Sequence, residues 1–179
     1  YYKPLTVQKI NENTIQYLKS VLFQEDITRS ISFLDSIILE LNPDHIFFND
    51  LLELHNLLMS NYVDGTKDDQ LAFKLFFNAE ALIYQNKTYA AISNLEKIIS
   101  QYSDALITPF ATLRLALILT ELNEFDKAHK IALSIEDSDL KDKSLALAGE
   151  IDEKFRGDSK SAIKFYNRIL SECPNSLLL

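Results

Sequence analysis

Three histidines and one cysteine are the side chains of this sequence best suited to metal binding or nucleophilic chemistry: His45, His55, His129 and Cys173. A structural zinc site takes four ligands, usually Cys or His in closely spaced pairs. The histidines fall on three different predicted helices, and a single cysteine can form no internal disulfide. Cys173 precedes Pro174 at a predicted helix end, with no assignable base to activate it. We therefore predict no metal site, no bound cofactor and a structural or surface role for each of these residues.

Carboxylates are abundant, and Glu150, Asp152 and Glu153 lie close together in the sequence. A catalytic acid and base need a concave site that moves their two pKa values apart, and no pattern here indicates one. A solvated helix face explains this cluster, and no glycine-rich phosphate-binding string occurs. The sequence thus predicts a protein that is not an enzyme and has no catalytic residues. An enzyme whose site no sequence pattern reveals is the outside alternative.

The composition favours a helical, acidic protein. The 179 residues are 47% hydrophobic, and three glycines and four prolines are too few for the turns of an all-β chain. The net charge of −8 argues against a nucleic-acid partner, because phosphate neutralisation takes clustered Lys and Arg. No apolar run approaches the ~20 residues of a membrane span. Residues 1–4 include neither a methionine nor a signal-peptide pattern, so we expect a mature form or, as we favour, a fragment of a longer chain.

The elements that would position these side chains come from an internal repeat. Three segments begin with a polar joint and continue with apolar residues at helical spacing: 86–99, 123–135 and 157–170. Ala91, Ala128 and Ala162 fall at matching places, 37 and then 34 residues apart. Alanine lets paired helices approach closely without the entropic cost of glycine. The apolar stripe continues four and seven places on, at Leu95 and Ile98, Ala132 and Ile135, and Tyr166 and Ile169.

Upstream of each joint, a second apolar stripe predicts a partner helix. Each pair forms an amphipathic hairpin that cannot bury its apolar face by itself, so neighbouring hairpins must stack to complete the core.

The N-terminal part, residues 1–66, fits this repeat less well. Residues 26–41 predict a helix with Ser30 at the small position, and Pro43 stops that helix. The interval from Ser30 to the next small position, Ala91, is too long for one repeat and must hold two more helices.

Those two helices are predicted at about 45–60 and 67–85. Asp44 is a candidate N-cap for the first of them. Asp64 and Gly65 indicate a turn between the two.

The segment 157–176 resembles the second helix and exit turn of a tetratricopeptide repeat, and 122–128 resembles the joint of the same repeat, with Phe125 at its usual aromatic position. The 34-residue interval is also the period of that repeat. The chain departs from the family pattern where Asn86 and Asn123 replace the joint glycine and where no tryptophan occurs. The resemblance implies an all-α fold, a right-handed α-solenoid of antiparallel helix hairpins. It also implies a single domain over 1–179, with its clearer repeats in 67–179.

In tetratricopeptide arrays the first helix of each hairpin lines a concave groove. The resemblance implies that the groove residues here are Phe76, Glu80, Ile83, Leu113, Leu117 and Thr120. This surface is apolar with few positive charges, which favours a helix or an extended apolar peptide as the ligand. One aromatic cluster recurs at helical spacing and is interpreted as core, with some members facing the groove: Phe73, Phe76, Phe77 and Tyr84.

The family resemblance implies a non-catalytic scaffold whose partner is another protein or peptide. The segment 36–45 is similar in style to bacterial envelope-associated tetratricopeptide proteins, which favours the periplasm or envelope over the cytoplasm. The alternative is a structural or self-associating module of a larger repeat protein, with a homo-oligomer as its product. Residues 175–179, which look like the start of another helix, motivate that alternative.

Overall fold

The computed structural model describes residues 12–23, 26–136 and 138–178; the predictions for residues 1–11 and for Leu179 lie outside them. The regular structure in these residues is helical throughout, and no strand occurs among them, so the all-α prediction is confirmed. In chain order the helices are α1 (Glu12–Phe23), α2 (Ile27–Glu40), α3 (Phe48–Leu58), α4 (Lys67–Tyr84), α5 (Thr88–Gln101), α6 (Thr108–Glu121), α7 (Phe125–Ala132), α8 (Lys141–Ile151) and α9 (Ser159–Glu172). Two of them, α3 and α8, run on into π-helical turns, Met59–Val63 and Asp152–Arg156.

Three hairpins build the second half of the molecule, as the repeat predicts. Helix α4 packs on α5, α6 on α7 and α8 on α9, and the hairpins stack through α5 against α6 and α7 against α8. The N-terminal helices are arranged differently, since α1 packs on both α2 and α4 while α2 packs on α3. A single apolar cluster runs from α1 through to α8, so stacking completes the burial that no hairpin achieves by itself.

The predicted small positions are confirmed. Ala91, Ala128 and Ala162 are buried on the second helices of the three hairpins, and Ser30 is buried on α2. The Ser30 hydroxyl donates to the Asp26 carbonyl at 2.9 Å, so its burial leaves no polar group unpaired. These four residues lie in close-packed contacts between helices, where a larger side chain has no space.

Tyr166 is half-buried and so contributes less to the core than the stripe predicts. Its ring lies over Gly149 of α8, where an added Cβ would stand 2.6 Å from the ring. Its hydroxyl donates to Glu153 at 2.9 Å. This glycine therefore permits a close approach between α8 and the ring from α9.

Each joint between the two helices of a hairpin contains one residue with a left-handed backbone. The φ angles are 59° at Asn86, 62° at Asn123 and 67° at Gly157. Asparagine is one of the few side chains that tolerate this region. The replacement of the joint glycine by asparagine therefore leaves the backbone geometry of the repeat unchanged.

The helix predicted to begin at His45 begins at Phe48 instead, and Asp44 is not its N-cap. The Asn42 side chain accepts a hydrogen bond from the Asp44 backbone amide at 3.0 Å, which fixes a turn after α2 and delays the next helix. The turn predicted at Asp64 and Gly65 is confirmed as a bend in the chain.

In two hairpins, an aspartate near the start of the first helix accepts a hydrogen bond from the turn that follows the second helix. The Asp69 carboxylate accepts from the Leu106 amide at 2.9 Å, and the Asp142 carboxylate accepts from the Ser176 hydroxyl at 2.6 Å. A carboxylate is stabilised at a helix N-terminus by the helix dipole. In these two hairpins, the first helix thereby fixes the turn through which the chain leaves the hairpin.

Candidate functional site

Three of the predicted groove residues lie on one face of α4. Phe76, Glu80 and Ile83 are four and three residues apart, and all three are half-buried. Phe76 and Ile83 pack partly against the core, and the Phe76 ring contacts Phe77 edge-on with the centroids 6.0 Å apart. These side chains therefore form a surface that packs against the hydrophobic core.

The other three predicted residues lie on one face of α6. Leu117 is 38% exposed, whereas Leu113 is half-buried against the core. Thr120 is half-buried, and its hydroxyl donates to the Ala116 carbonyl at 2.9 Å within the helix. Phe110, which was not among the predicted groove residues, is 39% exposed and lies seven residues before Leu117 on the same face.

An ion pair joins the two faces. Arg114 of α6 donates to Glu80 of α4 through Nε at 2.6 Å and through Nη2 at 3.2 Å. A bidentate guanidinium–carboxylate pair fixes geometry as well as charge. The faces of α4 and α6 consequently meet in one surface, which we name the α4–α6 face: Phe76, Glu80, Ile83, Phe110, Leu113, Arg114, Leu117 and Thr120.

Arg114 was not among the predicted groove residues either. Glu80 and Arg114 are 34 residues apart, as are Phe76 and Phe110, so the repeat period does contain the signal. Arg114 is the one basic residue of the α4–α6 face, and Glu80 neutralises its charge. The surface is therefore apolar around a fixed polar pair.

The aromatic cluster divides between core and surface. Phe73 and Phe77 are buried and contact each other with ring centroids 4.9 Å apart, and Phe76 belongs to the α4–α6 face. Tyr84 is exposed, so its interpretation as core is wrong. Tyr84 is the last residue of α4.

The carboxylates interpreted as a solvated face include one buried residue. Asp152 is 2% exposed, because the π-helical turn that begins there directs its side chain inward. Arg156 Nη1 donates to its carboxylate at 3.0 Å. His129 Nε2 lies 3.3 Å from the same carboxylate without the alignment of a hydrogen bond. An ion pair between the buried Asp152 and the exposed Arg156 therefore anchors this turn.

An open cleft of about 400 Å³ lies beside that turn. The rings of Phe125 and Phe155 stack there at 4.3 Å, with 11° between their planes. Its lining contains no serine, cysteine or histidine: Asn123, Glu124, Phe125, Asp126, Lys127, Phe155 and Arg156. The hydrogen bond from Lys127 to Glu124 raises the pKa of the lysine.

The two remaining histidines and the cysteine, the other candidates for metal binding or nucleophilic chemistry, lie apart from one another. His55 Nε2 lies 2.8 Å from Asp35, the His45 ring contacts Phe47, and Cys173 is half-buried at the end of α9. Among the described residues, no three His, Cys, Asp or Glu side chains gather closely enough to hold a metal ion. No helix in the described part of the chain is long and apolar enough to cross a membrane.

Comparison with known proteins gives one family match. The tetratricopeptide repeat-like domain family matches residues 54–176, a stretch that begins within α3 and ends in the exit turn of α9. No curated protein and no solved structure matches the chain.

Proposed function

Since the chain belongs to the tetratricopeptide repeat-like family, whose domains generally mediate contacts between proteins, we propose that it is a non-catalytic scaffold that binds another protein through the α4–α6 face. The binding groove consists of the six residues inferred from the repeat, with Phe110 and Arg114 added. Neither a cofactor nor a nucleic acid takes part.

The exposure of apolar side chains beside a fixed ion pair is the observation that carries this proposal. Phe110 and Leu117 remain exposed on a helix whose other apolar residues are buried or half-buried, and which packs against α5 and α7. Contiguous apolar surface on a folded chain usually marks a binding site, and aromatic residues often supply much of the affinity. The pair between Glu80 and Arg114 keeps the two helices in register, so the surface is formed before a partner arrives.

The chemistry of the face favours an apolar helix or an extended apolar segment as the ligand. The Arg114 guanidinium is already engaged by Glu80 through two hydrogen bonds, so it is a poor receptor for a terminal carboxylate. An apolar stripe at spacings of three, four and seven residues would contact Phe110 and Leu117 together.

The proposal includes the shape of the array. We infer that the hairpins wind as a right-handed solenoid, with the first helices α4, α6 and α8 on its concave side, in a single domain spanning residues 1–179. In such an array the α4–α6 face lines the inner groove.

A photo-crosslinking amino acid at position 117 tests this function in cells of the native organism. We expect a crosslink to one protein at this position. Position 71 is the matched control, because Leu71 is 40% exposed and lies about 180° around α4 from Glu80. Equal crosslinking from both positions, or crosslinks only between copies of this chain, would reject the proposal; the second result would favour the self-associating module.

A further inference from the structure

The guanidinium of Arg114 has hydrogen-bond donors to spare at the middle of the α4–α6 face. An arginine side chain carries five N–H groups. Glu80 engages one of them on Nε and one on Nη2. Within the described part of the chain, no hydrogen bond engages Nη1. The side chain of Arg114 is 29% exposed and its Nη1 is not buried, so these N–H groups reach solvent while the face is uncovered.

A ligand that covers the face takes these donors out of water. Phe110 and Leu117 lie on either side of Arg114 along α6, four residues before it and three after it. A ligand that contacts both side chains therefore also lies over the guanidinium. Donors that are buried without an acceptor destabilise a complex, so the ligand must present acceptors between its two apolar groups. Because Glu80 already neutralises the guanidinium charge, neutral carbonyl oxygens meet this need.

The distance between the two apolar side chains limits the conformation of the ligand. Phe110 and Leu117 are about 10.5 Å apart along the axis of α6. On one side of a β-strand, side chains recur at about 7 and 14 Å, and neither spacing fits. In a polyproline II segment, residues three apart lie on one side and are about 9 Å apart. In an α-helix, residues seven apart match the distance as well. The spacing thus leaves two conformations.

The two remaining conformations differ in the acceptors that they offer. Inside an α-helix every carbonyl already accepts a backbone hydrogen bond. A polyproline II segment has no internal hydrogen bonds, so the carbonyls between its two apolar side chains are free to accept from Arg114. Such segments also dock on aromatic-lined grooves, and Phe76 and Phe110 supply aromatic surface here. The donors of Arg114 therefore favour the polyproline II conformation.

We propose that the ligand of the α4–α6 face is a proline-containing apolar segment in the polyproline II conformation, an inference that rests on the proposed function of this face. Two apolar side chains three residues apart contact Phe110 and Leu117. Arg114 donates to the backbone carbonyls between them, and Glu80 holds the guanidinium in place through two hydrogen bonds.

Two fluorescently labelled peptides, capped at both ends, separate the two conformations. The first consists of three Leu-Pro-Pro units, which place the leucines on one side of a polyproline II helix. The second is an alanine-based α-helical peptide with two leucines seven residues apart and, between them, a glutamine as an acceptor for Arg114. Circular dichroism checks the conformation of each peptide and the fold of each protein variant. Fluorescence anisotropy measures binding to the 179-residue protein.

We expect the leucine-proline peptide to bind at least tenfold more tightly than the helical peptide. Leu117→Glu should weaken its binding at least tenfold, whereas Leu71→Glu, on the opposite side of α4, should leave it unchanged. The double variant Glu80→Met with Arg114→Met removes the donors without leaving an unpaired charge, and it should weaken binding at least tenfold although the face becomes more apolar. Arg114→Lys keeps the charge but lacks the guanidinium fork, and it should weaken binding at least threefold.

Failure of the leucine-proline peptide to bind at concentrations up to about 1 mM, or tighter binding of the helical peptide, would overturn this inference. Unchanged or tighter binding to the folded double variant would overturn it as well. If the double variant does not fold, unchanged binding to Arg114→Lys has the same meaning. The proposed function fails separately, because a crosslink from position 117 to a partner would uphold it even when the leucine-proline peptide does not bind.

Discussion

At the scale of single residues, the geometry of the joints between paired helices depends more on backbone conformation than on side-chain contacts. Asn86, Asn123 and Gly157 share the left-handed region, and an added Cβ at Gly157 would meet no atom within 4 Å. The cost of a substitution there is therefore conformational and can be separated from packing.

Gly157→Asn should change the free energy of unfolding by less than about 0.5 kcal/mol, because asparagine already occupies the same position in two joints. Gly157→Ala should destabilise the fold by about 1 kcal/mol, because the left-handed backbone conformation is strained for alanine. Urea denaturation of the two variants gives the comparison. Equal midpoints for the asparagine and alanine variants would show that the joint relaxes out of the left-handed region.

Asp69 is the residue through which pH should act on stability. The hydrogen bond from the Thr66 hydroxyl lowers the pKa of this carboxyl, and the amides of Leu106 and Thr66 lower it further against the effect of burial. Because the folded pKa lies below the unfolded value of ~3.9, the stabilisation is present above that value and is lost as the pH falls through the folded pKa.

Asp69→Asn should therefore destabilise at pH 7 by about 1 to 3 kcal/mol, since an amide nitrogen would face donors. The difference from wild type should shrink as the pH falls below ~3.9, where the unfolded wild-type chain takes up a proton at Asp69, and it should be smallest below the lowered pKa of the folded carboxyl. Asp68→Asn, one residue away and exposed, is the control. Thermal unfolding from pH 7 to pH 3 makes the measurement, and a difference that stays constant over this range would contradict the assignment.

At the scale of elements, the closest helix contacts should be the least tolerant of added volume. Ala91→Leu and Ala162→Leu should each cost about 1 to 3 kcal/mol through overpacking. Ala90→Leu is the matched control, because Ala90 is exposed on the same turn of α5. Denaturant unfolding compares the three variants, and equal midpoints would mean that these helices do not meet at the small positions.

Sequence patterns predicted these elements well where a single physical constraint fixes a residue type. The buried alanines and the proline after α2 fall in this class. The patterns failed at Asp152, because a π-helical turn inserts one residue without leaving a mark on a 3.6-residue period. They also left out Arg114, although it lies one 34-residue period after Glu80, because an apolar stripe does not predict an ion pair between neighbouring first helices.

At the scale of the whole molecule, the three hairpins stack in order, and the α4–α6 face lies across the first two of them. The net charge of −8 favours solubility, and charged residues around an apolar centre would select partners by charge.

The most direct test of the central claim, that the α4–α6 face binds a partner, is the affinity of the protein crosslinked from position 117 for three forms of the chain. These are the wild type, Leu117→Glu, and Leu71→Glu as the control of equal exposure on the opposite side of α4. Burying an unpaired carboxylate at an interface costs several kcal/mol, so we expect Leu117→Glu to weaken binding at least a hundredfold and Leu71→Glu less than threefold, with both variants folded. Equal affinities for the wild type and folded Leu117→Glu would contradict the claim and place the binding surface elsewhere.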